Sequence, residues 1–164
     1  MSERVKKFIF EAAANRRWSI VKLAIKRDGY DVNVRNEKGH TLLHYAAVVG
    51  PIEEIDYFIE KGIDINSTSN NGSTPLHTAA LYGCFPTAKY LVEKGADVNA
   101  LDDSDNSPLD LASQHERHEI VEYLKGAGAE TGVKAEEETE SNKWVDKFRP
   151  RTDFKSLVKK QSDC

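Results

Sequence analysis

GSTPLHTAALYGCFPTAKYLVEKGADVNA, residues 72–100, joins a turn to two short helical patterns and a closing glycine. Asn71-Gly72 is a tight-turn dipeptide. Thr74 is placed to cap a helix with Pro75 at its first position, where a proline's missing N–H costs nothing. A second helix starts near Pro86, with Ala88, Leu91 and Val92 on its inner face, and Gly95 ends it. Subtracting 33 from the markers finds a copy at Gly39, Thr41, His44, Gly62 and Asn66. Adding 33 gives Asp105, Ser107, Leu109 and Ala112. A fixed period of this size is the signature of stacked units that share one core.

The unbroken Thr-Pro-Leu-His-x-Ala core at residues 74–79, on a 33-residue period, resembles the ankyrin repeat. The resemblance covers about residues 5–129 and is strongest in the middle two units. It implies an all-α repeat fold, an ankyrin solenoid of helix-turn-helix units joined by β-hairpin-like loops, here followed by a C-terminal linker and tail. The domain organisation expected is an array over 1–129 of about four units: 1–35 as N-terminal cap, 36–68, 69–101, and 102–129 as C-terminal cap. An acidic linker over 130–142 and a basic amphipathic tail over 143–164 follow.

The first unit is divergent. Phe8, Ile9, Ala12 and Ala13 recur at helical spacing, as do Ile20, Val21, Ala24 and Ile25, with Asn15, Arg16 and Arg17 as the turn between them. The family usually has Gly where Arg16 stands. In the second unit Leu42 replaces the family's Pro, and Gly50 is expected to stop the first helix at positive φ ahead of Pro51. Ile52, Ile55, Phe58 and Ile59 make an amphipathic face. The fourth unit keeps Ser107-Pro108-Leu109 but puts Asp110 where His stands elsewhere, and Lys125 and Ser113 replace apolar or small residues. Polar outer faces at both ends are what terminal units of a stack need.

Charge is unevenly distributed. The net is +5 over 1–35, −9 over 36–129 and zero over 130–164. An acidic body argues against nucleic acid as the partner of the repeats. Neither an 18-residue apolar run nor a secretory leader is seen, so a soluble chain of the cytoplasm or nucleus, with no membrane association, is expected. Two cysteines, Cys84 and Cys164, cannot build a disulfide framework. Residues 143–160 carry seven Lys/Arg against two acids, with apolar anchors at Trp144, Phe148, Phe154 and Leu157.

Motifs for chemistry fail in turn. His115-Glu116-Arg117-His118 is one residue short of H-E-x-x-H and aligns with the turn between helices. Cys84 has no His base indicated nearby, and there is no phosphate loop or nucleophile elbow. No catalytic residue, cofactor or metal is therefore expected, and the chain reads as a non-enzyme. His44 and His77 recur at the repeat period, and the resemblance gives them a structural role, bridging loop backbone of adjacent units. It also admits hydroxylation at Asn66 and Asn99, which occupy the Asp-x-Asn exits.

Function is then expected on the surface, as a protein–protein interaction module, an adaptor or stoichiometric inhibitor that is monomeric by itself. The resemblance places partner-binding positions at Glu37, Lys38, His40, Val48 and Val49; at Asn70, Asn71, Ser73, Leu81 and Tyr82; and at Asp103, Ser104, Asn106, Gln114 and His115. Val48, Val49, Leu81 and Tyr82 are apolar where the fold does not require it, and Asp102, Asp103 and Asp105 add negative charge. That combination suits a partner segment with apolar anchors and Lys/Arg. The alternative is a regulatory protein whose basic, aromatic tail binds the partner or folds back onto the repeats. Single-stranded nucleic acid binding by the tail is a third reading. Val5 and Phe8 miss a Val-x-Phe phosphatase-docking spacing by one residue.

Overall fold

In the computed structural model, which describes residues 3–132, the chain forms four successive helix pairs with no strand among the described residues. The pairs are α1 (Glu3–Ala14) with α2 (Trp18–Asp28), α3 (Leu42–Val49) with α4 (Ile52–Glu60), α5 (Pro75–Tyr82) with α6 (Phe85–Glu93), and α7 (Pro108–Gln114) with α8 (His118–Gly126). The first helices form an inner row in which α1 packs on α3, α3 on α5 and α5 on α7; α4, α6 and α8 form an outer row. None of the described helices is long and apolar enough to cross a membrane. The expected linker and tail, including Trp144, Phe148, Phe154 and Leu157, lie outside the described residues.

The inner row stays close because its buried positions are small: Ala12, Ala13, Ala46, Ala47, Ala79, Ala80 and Ala112 are buried. The second helix of each pair fills the remaining space with larger side chains, Val21, Ile55, Phe58, Leu91, Ile120 and Leu124, all inaccessible or nearly so. These residues form one continuous apolar cluster from the first unit to the fourth. No pair could bury such a face alone, so the stacking itself makes the core.

Each loop between pairs is a compact hairpin without a strand ladder. Asn36 N donates to His40 O, Ser69 N to Ser73 O and Asp102 N to Asn106 O. Gly39 and Gly72 sit at the tips with φ of 75° and 74°, and Asp105 holds the same left-handed place at 60°. Consecutive hairpins stack through Asn70 N to Lys38 O and Asp103 N to Asn71 O.

Two sequence expectations are corrected. Gly50 has φ −91° and ψ 145°, which is extended backbone rather than the left-handed region. The cause is Pro51, whose ring drives the preceding residue out of helical and into extended geometry. Glycine is needed at 50 for closeness, since a Cβ would stand 2.7 Å from Ala46 Cα and 2.9 Å from Ala46 O. In α1, Phe8 is 54% exposed, while Phe10 is buried in its stead against Tyr45. The turn after α1 does fall at Arg16, which takes φ 57° without being glycine.

Candidate functional site: the groove along the inner helices

Helices α1, α3 and α5 and the hairpin at residues 36–40 line a groove of about 640 Å³. Its apolar lining comes from Phe10 and Ala14 of α1, Tyr45, Val48 and Val49 of α3, and Tyr82 of α5. Phe10 and Tyr45 hold the centre, their rings 5.4 Å apart and inclined at 48°. Asn36 fixes Tyr45 by donating to its hydroxyl at 3.1 Å, while the Asn36 carboxamide oxygen accepts from the Lys38 and His40 amides. One side chain thus sets both the hairpin tip and the aromatic floor. The rim carries Glu3, Lys6, Lys7 and Glu11 from α1 and Glu37 and Lys38 from the hairpin.

His40, His44 and His77 are all biased towards the neutral form. His44 Nδ1 accepts from the Thr41 amide at 3.1 Å, so Nε2 carries the proton and donates to Ser73 O at 2.9 Å. Burial pushes its pKa down to about 4, with the bond to Ser73 only partly opposing this. His77 repeats the arrangement one unit on, between Thr74 N and Asn106 O, and its pKa is likewise lowered by burial. His40 is lowered by burial and then by Lys38. These geometries match the bridging role expected of His44 and His77. Among the described residues no group of three or more His, Cys, Asp or Glu is placed to hold a metal. His115 caps the C-terminus of α7 and His118 begins α8, with Glu116 between them at φ 57°, which is a turn rather than a shared helix face.

Of the sequence-derived positions, Glu37, Lys38, His40, Val48, Val49 and Tyr82 line the groove. Leu81 does not. It is half-buried, and its carbonyl accepts from Arg117 Nε at 3.3 Å. Tyr82, one position on and 55% exposed, supplies the apolar surface on α5 instead. Asn70, Asn71, Ser73 and Asn106 spend hydrogen-bonding groups on the stack: Asn70 Nδ2 donates to Glu37 O at 2.9 Å, and the Asn71, Ser73 and Asn106 carbonyls accept from Asp103 N, His44 and His77. Asp103, Ser104, Gln114 and His115 are exposed along the fourth unit, beyond the groove.

Sequence reasoning missed the α1 contribution of Glu3, Lys6, Lys7, Phe10, Glu11 and Ala14, together with Tyr45 and Thr78. The signal was present in the 3, 6, 7, 10, 14 spacing, one stripe of a helix. Asn66 and Asn99 belong to a second set of ties. Asn33, Asn66 and Asn99 Oδ1 accept from the amides of Asp64, Asp97 and Glu130, at 3.0, 2.9 and 2.8 Å.

The family model for ankyrin repeats, in three copies, matches residues 9–102 and 71–135. The chain belongs to the ankyrin-repeat family. Its four helix pairs form an all-helical ankyrin solenoid, a class of module that generally binds other proteins and is typically non-catalytic. A search of curated proteins gave no match.

Proposed function

We propose that this ankyrin array acts as an adaptor or stoichiometric inhibitor that holds a segment of another protein in the groove between α1, α3 and α5. The observation that carries the reading is the exposed Tyr82, which lines the same apolar groove as the Phe10–Tyr45 pair. A monomeric chain has no core reason to keep such a surface open to water. An apolar side chain of the partner seats there, where an aromatic anchor is worth most. Basic side chains flanking it meet Glu11 and Glu37, and further along Asp103 and Asp105. The rim lysines Lys6, Lys7 and Lys38 make the groove itself mixed in charge, so the anchor decides affinity and the rim decides orientation.

The test places a photo-crosslinking amino acid at Tyr82 and, in a second protein, at Glu93 on the outer row. Crosslinked partners are identified by mass spectrometry and then assayed as purified proteins against Val48→Asp/Tyr82→Ala. Partners captured only at 82, and at least about tenfold weaker on the double variant with an unchanged melt, are expected. Capture equally at 93, or full affinity on the double variant, overturns the groove assignment.

A further inference from the structure

The last described residues do something that the repeat pattern does not ask of them. Through Glu130 the chain keeps the register of a following unit, because the Glu130 amide meets Asn99 as Asp97 meets Asn66 and Asp64 meets Asn33. Gly132 then stands where the units carry Asn33, Asn66 and Asn99. Its amide turns back to Asp110 Oδ2 at 2.7 Å.

Asp110 occupies the place of His44 and His77. Those rings donate Nε2–H to the carbonyl of the next hairpin, at Ser73 and Asn106. A carboxylate can only accept, so Asp110 would repel a carbonyl there and takes an N–H instead. The same oxygen accepts from Ser107 N at 2.8 Å and Ser107 Oγ at 2.6 Å, partners that a 7% exposed carboxylate requires.

Gly132 also fills a specific seat. A Cβ there would overlap the Asp105 carbonyl oxygen and the Leu101 side chain. At Gly39 and Gly72, the hairpin tips that align with Asp105, it is the following hairpin that comes close, at Asn70 N and Asp103 N.

We propose that residues 130–132 are a strap that closes the C-terminal end of the stack, with Asp110 as its anchor and Gly132 as the residue that fits. The strap takes the seat of a further hairpin, so neither another unit nor a second copy stacks on α7 without displacing it. It also fixes the point from which the following residues depart.

Residue-resolved hydrogen exchange of the full chain tests this. In the wild type the Gly132 amide is expected to exchange at least about tenfold more slowly than an unstructured amide. Gly132→Ala keeps the Asp110–Ser107 cap, so protection should vanish at residue 132 and persist at Leu111–Gln114. A wild-type Gly132 amide exchanging at the unstructured rate, or unchanged protection at 132 in Gly132→Ala, would overturn the proposal.

Discussion

His44 Nε2 lies 2.9 Å from the Ser73 carbonyl, 29 residues later, and this single bond ties the capped start of α3 to the hairpin that precedes α5. Thr41 and His44 cap one another, so the ring that links the units is the ring that starts the helix. His44→Ala removes the link and leaves buried backbone groups unsatisfied; a loss of about 2–4 kcal/mol in urea denaturation at pH 7 is expected.

The same ring sets a pH dependence. Its folded pKa, about 4, is below the ordinary 6.5, so the unfolded chain takes up the proton first as pH falls. Stability from this group is therefore complete above pH 6.5 and declines as pH drops from 6.5 towards 4, by at most on the order of 3 kcal/mol. His77 is shifted in the same direction and adds to the decline. Denaturation series at pH 7, 6 and 5 should show a slope that is shallower in His44→Gln.

Gly50 and Gly83 are one repeat apart yet glycine for different reasons. Gly83 has φ 79° in the left-handed region, and a Cβ there meets only the flexible Arg117 side chain, 2.9 Å away. Gly50 is extended, and a Cβ there strikes the Ala46 backbone. Asparagine tolerates the left-handed region. Gly83→Asn should therefore cost about 1 kcal/mol or less, whereas Gly50→Asn should cost about 2 kcal/mol or more, because backbone cannot yield as a side chain can. Paired thermal melts distinguish the two.

Glu116 repeats the Gly83 geometry at φ 57° with a side chain that pays for it. Glu116→Gly should raise stability by up to about 1 kcal/mol, the relieved strain being partly offset by the freer unfolded chain. A fall in stability would show that the Glu116 side chain makes an offsetting contact.

Phe58 and Tyr82 contrast core with surface. Phe58 is wholly inaccessible, and Phe58→Ala should cost about 3–5 kcal/mol. Tyr82 is 55% exposed, and Tyr82→Ala should stay within about 0.5 kcal/mol of the wild type. Calorimetry on the two variants separates a stabilising aromatic from one kept for another purpose.

The stack was legible in the sequence wherever one residue type answers one local need. Thr74, Pro75 and His77 cap a helix, and Asp97-Val98-Asn99 makes an exit in which Asp97 accepts from the Asn99 amide. The left-handed tips at Gly39 and Gly72 belong to the same class. The groove was only half legible, because it depends on side chains brought together from distant positions. Phe10 meets Tyr45, 35 residues away, and nothing in the local pattern of α1 says that Phe10 rather than Phe8 turns inward. With Arg16 aligned to Gly50, residues 2–6 fall where the second unit has its hairpin at residues 36–40; here Glu3 to Lys6 are helix, and Lys6 rims the groove instead. Gly50 was misread because the conformation is dictated by its neighbour Pro51.

On the groove binding proposed above, the two ladders of ties, one through His44 and His77 and the other through Asn33, Asn66 and Asn99, bear on how fast and how tightly a segment is captured. The second and third units are linked at both places and the first is tied to the second through Asn33, so the helices that flank the groove have little freedom to splay. Little ordering entropy is then charged to the array on association, and the cost of becoming fixed falls almost wholly on the incoming chain. On that proposal, affinity is governed by how extended or helical the incoming chain already is when free.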